Sequence, residues 1–318
     1  MARIEQAPKS WKRFIWPVIG ALAIVISFWL LARELRGISR AELWAGIGAL
    51  QAWHWGLIAL CTIGCYFTLA LYDQIALNHL EKRLNFVFVA LCSLTTYALA
   101  HNIGASAFTG AVIRYRAYSS KGLSGAEVGI LVTFCSFTFS LGVMILLGVA
   151  FLFSPGLEDR FAEALSPVLV RWLAFGLLVL IGLYLLGSAL GLRPLRIRSF
   201  TVSYPRLPVA LQQITVAPVE LLFAAGILYF ALPDAGNPGY LVVMGVFVVA
   251  FALALLSHAP GGLGVFELAV LTALPEFEPE EVLAALIVFR LFYFILPLIL
   301  SLIVVAIFEH GQLRDRRG

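Results

Sequence analysis

Three charged residues sit where hydrocarbon chemistry disfavours them. Glu220, Glu267 and Arg290 each fall well inside an apolar tract. A charge at the centre of a bilayer costs at least ~2.5–3 kcal/mol on insertion scales, so such a residue faces a partner or water. Two uses fit. One is a structural ion pair, Arg290 with Glu267 or with Glu220. The other is a polar cavity in which carboxylates attract a cationic group and arginines hold a phosphate, because a planar guanidinium binds two oxygens at once. Asp73 ends an apolar run, and Arg114 and Arg116 follow a glycine-rich stretch. They extend the same set, although Asp73 also reads as an interfacial cap and the arginines as side chains that extend to the membrane surface. Of the two arginines, Arg114 is the better placed to reach inward. His101 and His258 read either as hydrogen-bonded fixtures or as proton carriers.

These residues flank two unusual stretches, "HNIGASAFTG" (His101–Gly110) and "SHAPGGLGVFE" (Ser257–Glu267). In the second, Pro260 removes a backbone donor, and Gly261, Gly262 and Gly264 permit a tight turn. Gly104 and Gly110 are the corresponding candidates for a break in the first, where Asn102, Ser106 and Thr109 are suited to satisfy freed backbone groups. Unpaired backbone groups in hydrocarbon cost several kcal/mol each, so a break is viable only when packed in protein or lining a wet cavity. A helix starting near Leu263 would aim its first N–H groups at an anion such as a phosphate. The alternative is a kink filled by a neighbouring helix, since small residues also pack membrane helices.

The elements that must position these residues follow from composition. The chain has 318 residues, 61% of them hydrophobic and 13% charged, with mean hydropathy +0.96. Apolar runs recur along nearly its whole length, which predicts an all-α polytopic membrane protein, a single membrane domain over residues 1–318. The apolar run at Phe14–Ala32 follows a basic start, is long enough to span, and reads as a first transmembrane helix and not a removed signal peptide. Further spans are predicted at about Trp53–Tyr72, Val128–Phe153, Val168–Leu190, Val209–Leu232 and Val282–Phe308. The shorter pieces at Phe86–Ala100 and Tyr240–Leu256 lead into the two broken stretches. The connection after Arg193 is basic, with strand-like alternation from Arg196 to Ser203.

Cys61, Cys65, Cys92 and Cys135 lie in apolar segments and read as small packing residues. No metal-ligand spacing, nucleotide loop or hydrolase motif is present, so no metal, no cofactor and no catalytic constellation are expected. The net charge of +4 is modest and its cations lie at segment ends, which is topology and headgroup chemistry, not nucleic-acid binding.

His101 precedes a glycine-rich break, a short apolar piece, a charged turn and a long span. His258 does the same about half a chain later. The pattern predicts an internal repeat, with halves at about residues 10–154 and 166–310. Basic loops at Lys82/Arg83, at Arg114/Arg116/Lys121, at Arg193–Arg206 and at both tails predict a cytoplasmic face, with both termini on it. Acidic loops at Glu158/Asp159, at Asp234 and from Glu276 to Glu281 predict the external face. Arg33, Arg36 and Arg40 run against this assignment. The two breaks then lie on hairpins entering from opposite sides. The expected architecture is six full spans plus two re-entrant broken-helix hairpins in an inverted repeat, the plan of secondary transporters.

The stretches "HNIGASAFTGAVIRYRAYSSKGLS" (His101–Ser124) and "SHAPGGLGVFELAVLTAL" (Ser257–Leu274), with "PVELLFAAG" and "VFRLFYFILPL", resemble the signature segments of the lysylphosphatidylglycerol synthase transmembrane-region family. That family includes the flippase-like membrane half of MprF synthases and stand-alone YbhN-type proteins. The resemblance covers essentially the whole chain. It implies a bacterial inner-membrane protein that moves a phospholipid, such as aminoacylated phosphatidylglycerol, between leaflets. Such movement lowers surface negative charge and gives resistance to cationic peptides. It also implies roles in translocation for charged positions such as Asp73, Arg114, Glu220 and Glu267. MprF synthases carry a further cytoplasmic domain that uses aminoacyl-tRNA, which has no counterpart up to Gly318, so lipid synthesis is not expected. Expected partners are the substrate lipid, a separately encoded lipid-modifying enzyme and a second copy of the chain. Two other readings remain at this point: a small-solute or ion-coupled transporter on the same plan, and a non-transporting membrane subunit of a lipid-modifying system.

Overall fold

The computed structural model describes residues 46–103, 106–154, 156–161, 166–191, 195–197, 200–202, 205–257 and 262–315. The predicted span at Phe14–Ala32, the basic N-terminal tail and Arg33, Arg36 and Arg40 lie outside these residues. Among the described residues, α-helices run in the order α1 (Ala52–His79), α2 (Phe86–Ile103), α3 (Ser106–Ser119), α4 (Gly125–Phe153), α5 (Pro167–Ala189), α6 (Leu207–Ala231), α7 (Tyr240–Ser257), α8 (Val265–Ala273), α9 (Pro279–Arg290) and α10 (Leu296–Asp315). A π-helical turn, Leu291–Ile295, joins α9 to α10. Among the described residues, six segments are long and apolar enough to cross a bilayer: α1, α4, α5, α6, α7 and the continuous stretch Pro279–Phe308. The basic connection forms a two-stranded antiparallel ribbon, β1 (Leu195–Ile197) with β2 (Phe200–Val202).

Helix starts carry the local chemistry their sequence offers. Ser124 Oγ accepts the Glu127 N–H while Glu127 Oε2 accepts the Ser124 N–H, a reciprocal cap on α4. Proline opens α5 and α9, where a missing N–H costs nothing, and Glu280 and Glu281 complement the dipole of α9. Within the apolar helices, hydroxyls bond back one turn: Thr62 to the Ile58 carbonyl at 2.9 Å, Thr138 to that of Phe134 at 2.9 Å. This satisfies hydroxyls that hydrocarbon cannot. The outward face of α5 is a belt of exposed Val168, Leu169, Trp172, Leu173, Phe175 and Leu183, as a lipid-facing helix requires.

The central contact is α1 against α6. A Cβ at Gly64 would stand 2.7 Å from the Phe223 ring, and one at Gly226 would stand 2.8 Å from Cys61 Sγ. Each glycine therefore admits a side chain from the opposite helix. Partners descend along α6 as they ascend along α1, so the two helices are antiparallel. On the other side, α4 and α6 run parallel, Thr138 pairing with Gln213 and Gly142 with Ala217.

Two antiparallel helix pairs insert into this frame. In α2–α3, Phe88 meets Tyr118 at one end and Gly110 packs on Thr96 towards the other. Lys82, just before α2, bonds Glu127, just after α3, at 2.8 Å, so the pair begins and ends at one end of the bundle. In α7–α8, Phe251 meets Phe266, and Gly262 packs on Ala254. Its base lies at the opposite end, where Arg160 donates to the Ala273 carbonyl at 2.6 Å and pairs with Glu276. One end of the bundle thus carries Lys82, Arg83, Lys121 and Arg206. The other carries Glu158, Asp159, Asp234 and Glu276.

Candidate functional site

Arg114 and Tyr118 lie one turn apart on α3 and face α1. Arg114 Nε and Nη2 donate to Asp73 Oδ2 and Oδ1 at 3.2 and 2.6 Å, and the Tyr118 hydroxyl donates to Oδ2 at 2.7 Å. The Cys135 thiol of α4 adds a donor to Oδ1 at 3.4 Å. Four donors match the roughly four lone-pair sites of a carboxylate, so Asp73 is saturated. The Arg114 guanidinium also lies 4.8 Å from the Tyr97 ring centroid. The side chains of Asp73 and Arg114 are 0% and 5% exposed. This pair ties the first hairpin to the central helix.

A second pair ties the other hairpin to α9. Gly262 and Gly264 have φ of +66° and +81°, where a Cβ would be strained, and they turn the chain into α8. Glu267, in the first turn of α8, reaches back to accept the Gly264 N–H at 2.7 Å. Its other oxygen, Oε1, accepts from Arg290 at the end of α9. Arg290 lies 5.3 Å from the Phe294 ring centroid. Here the exposures are 8% for Glu267 and 21% for Arg290, so this pair reaches the surrounding medium.

The π-helical turn lies between the hairpins. Pro297 has no N–H, which frees the Tyr293 carbonyl one turn back. The Tyr66 hydroxyl of α1 fills that vacancy at 2.9 Å, and Asn102, at the end of α2, donates to the neighbouring Phe294 carbonyl at 3.2 Å. His101 stacks on the Tyr293 ring, 5.4 Å between centroids, and Phe251 of α7 meets the same ring at 6.3 Å. The Tyr293 hydroxyl donates to Glu220 Oε1 at 3.1 Å, and the Cys65 thiol donates to the same atom at 3.2 Å. Glu220 is 0% exposed, and its Oε2 has no hydrogen-bond partner.

Of the two predicted pairings for Arg290, the structure forms the one with Glu267. Glu220 stands apart from it, among neutral donors. Asp73 is not an interfacial cap: α1 continues to His79 and buries it. Arg114 is held by Asp73, a partner that the spacing of these residues did not reveal. Arg116 is exposed on α3. Gly110 is not a helix break. It lies inside α3, where a Cβ would meet the Thr96 methyl at 3.3 Å and Arg114 Nη1 at 3.5 Å, so its small size admits the arginine. Gly262 and Gly264 lie in the turn between α7 and α8 with positive φ, whereas Gly104, His258, Pro260 and Gly261 lie outside the described residues. Asn102 donates to the Ala98 carbonyl of its own helix at 2.7 Å and to the Phe294 carbonyl at 3.2 Å, and neither lies in the break where it was expected to act. Cys65 and Cys135 do more than pack, since each donates to a buried carboxylate. Tyr118, Tyr97 and Tyr293 escaped the sequence reading. For Tyr118 the one-turn spacing from Arg114 was the available signal.

Residues 18–301 match the family described as the lysylphosphatidylglycerol synthase TM region. The uncharacterized protein slr0712 of Synechocystis sp. is 30% identical over 303 residues, which cover 94% of this chain and 93% of that one. The inner membrane protein YbhN of Escherichia coli is 28% identical over 285 residues, 87% of this chain and 83% of its own. A phosphatidylglycerol lysyltransferase of Staphylococcus haemolyticus is 26% identical over 306 residues, and this chain covers only 34% of its length. A match over nearly the whole set of described helices, with full-length relatives, places this multi-pass membrane protein in the lysylphosphatidylglycerol synthase transmembrane-region family.

Proposed function

We propose that this protein moves a phosphate-bearing phospholipid between the leaflets of a bacterial cytoplasmic membrane. The Arg290–Glu267 pair carries the reading. It sits at a broken helix, at the meeting of two hairpins, and it alone of the two inner ion pairs reaches the medium. A phosphate displacing Glu267 from Arg290 keeps the guanidinium paired and finds the first N–H groups of α8 beside it. The displaced carboxylate is then free to take a cationic group on the same lipid. The tails stay in the bilayer, so the headgroup path opens sideways. Phosphatidylglycerol and its aminoacyl forms are the substrates in view, because a lysyltransferase acting on that lipid is among the relatives.

The hairpins are read as re-entrant and the halves as inverted repeats. The inner helices α3 and α8, at 14 and 9 residues, reach about 21 and 14 Å, short of an average hydrocarbon core of about 30 Å. Antiparallel α1 and α4 require the segment between them to return to its starting side. The neighbour pattern supports the repeat: α1 on α6, α2–α3 against α4, and α7–α8 against α9. The basic end, with Lys82, Arg83, Lys121 and Arg206, is assigned to the cytoplasm.

The test is a leaflet assay in proteoliposomes, using fluorescent aminoacyl-phosphatidylglycerol and plain phosphatidylglycerol. The parent protein is expected to move at least one of them, and Arg290→Ala and Glu267→Ala to lose that movement at unchanged folding. A parent protein that moves neither lipid refutes the proposal.

A further inference from the structure

Among the described residues, Glu220 is the one buried carboxylate of this core that has no cation. Among the described residues no lysine, arginine or histidine nitrogen lies within 4 Å of it. Its neighbours that can ionise are Cys65, Tyr66 and Tyr72 of α1 and Tyr293 of the π-helical turn. All are neutral thiols or phenols. The thiol on α4, Cys135, is committed to Asp73. Both donors that reach Glu220 bond to Oε1, while Oε2 is buried and bonds to nothing. A bare carboxylate in this position would be a desolvated, uncompensated charge, which proteins avoid by neutralising the group. Asp73 and Glu267 avoid it differently, each with an arginine.

We propose that Glu220 is a proton-binding site, and that lipid movement is coupled to its loading and unloading. This rests on the transport reading above. One proton passes from water on one side to the carboxylate, making the Oε2–H bond, and later leaves to water on the other side. No other bond forms or breaks. Unloading leaves an anion that holds the Tyr293 hydroxyl and the Cys65 thiol more tightly, because hydrogen bonds to a charged acceptor are the stronger ones. Tyr293 is where that change is felt. Its ring touches His101 from the first hairpin and Phe251 from the second, and its carbonyl holds Tyr66. The π-helical turn therefore links the proton site to both hairpins. The buried His101 Nδ1, which also has no hydrogen-bond partner, lies on this route.

Two measurements on the reconstituted full chain decide it. Infrared difference spectra recorded across pH should show a protonated carboxyl stretch that Glu220→Gln abolishes and Glu267→Gln retains. Glu220→Asp should shift that band, which covers the case in which the amide variant folds poorly. In the leaflet assay, a gradient of one pH unit should shift the lipid distribution about tenfold at one proton per lipid. Glu220→Gln should erase that dependence. Absence of any band sensitive to Glu220 overturns the proton site, and lipid movement indifferent to the gradient overturns the coupling. A parent protein that moves no lipid refutes the transport reading instead, and the infrared result still decides the proton site.

Discussion

The two hairpins are fastened by ion pairs of opposite polarity. On the first, the short inner helix brings the cation, Arg114, to a carboxylate on a spanning helix. On the second, the inner helix brings the carboxylate, Glu267, to a cation at the end of α9. The first pair is sealed, with a second guanidinium contact, a phenol and a thiol closing every acceptor site. The second is partly open, and one carboxylate oxygen is spent on a backbone N–H at a break. The difference teaches a division of labour. A saturated pair fixes a hairpin in place, whereas a pair with an exposed edge can exchange partners.

The largest expected effect breaks the sealed pair. Asp73→Ala leaves Arg114 buried without its anion and should cost about 3–5 kcal/mol of unfolding free energy in micelles. The double variant Asp73→Ala with Arg114→Ala should lose less than that single, since no charge is stranded. Next is the frame that both pairs rely on. A Cβ at Gly142 would stand 2.4 Å from the Ala217 carbonyl oxygen, so Gly142→Ala must push α4 off α6 and should cost about 1–3 kcal/mol. Gly182→Ala on α5 meets open space and should stay within about 0.5 kcal/mol of the parent in the same measurement. The open pair should matter less to stability. Glu267→Ala should cost only about 1–2 kcal/mol, because Arg290 can turn to the medium, while lipid movement falls away. Equal stability losses at Asp73 and Glu267 would erase the distinction between the pairs.

A smaller, pH-dependent effect lies at the base of the second hairpin. Arg160 holds the Glu276 carboxyl below its ordinary value of 4.5, the side-chain hydrogen bond being the main cause. A lowered folded-state value stabilises above the ordinary value and is lost as pH falls through the lowered one. Arg160→Ala should therefore lower the melting temperature at neutral pH, and the gap from the parent should close under strongly acidic conditions. A gap that persists in acid would mean that Arg160 acts through the Ala273 carbonyl alone.

The membrane class and the spans that became α1, α4, α5, α6 and Pro279–Phe308 were legible in the sequence, because hydropathy reports how each segment is solvated; α7, read there as half of a hairpin, is also long and apolar enough to cross. Gly262 and Gly264 were legible as a break because their φ values are ones that side chains resist. Glu267 with Arg290 was readable as one of two pairings. The Asp73–Arg114 pair was not, because its partners lie on α1 and α3 and only the fold of the hairpin brings them together. Gly110 misled for a related reason. A glycine that makes a break and a glycine that makes room for a neighbour look the same until the neighbour is in place. Cys65 and Cys135 were hidden by their dual character, apolar in composition and donors in a dry core.

Opposed entry of the two hairpins is the claim on which the transport account stands. Single cysteines at Ser120, beside the base of the first hairpin, and at Ala235, beside the base of the second, would test it with a membrane-impermeant maleimide on oriented vesicles. Both positions are exposed, and the native Cys61, Cys65, Cys92 and Cys135 are buried. The account predicts labelling of Ser120→Cys and Ala235→Cys from opposite faces. Labelling of both from one face would contradict it.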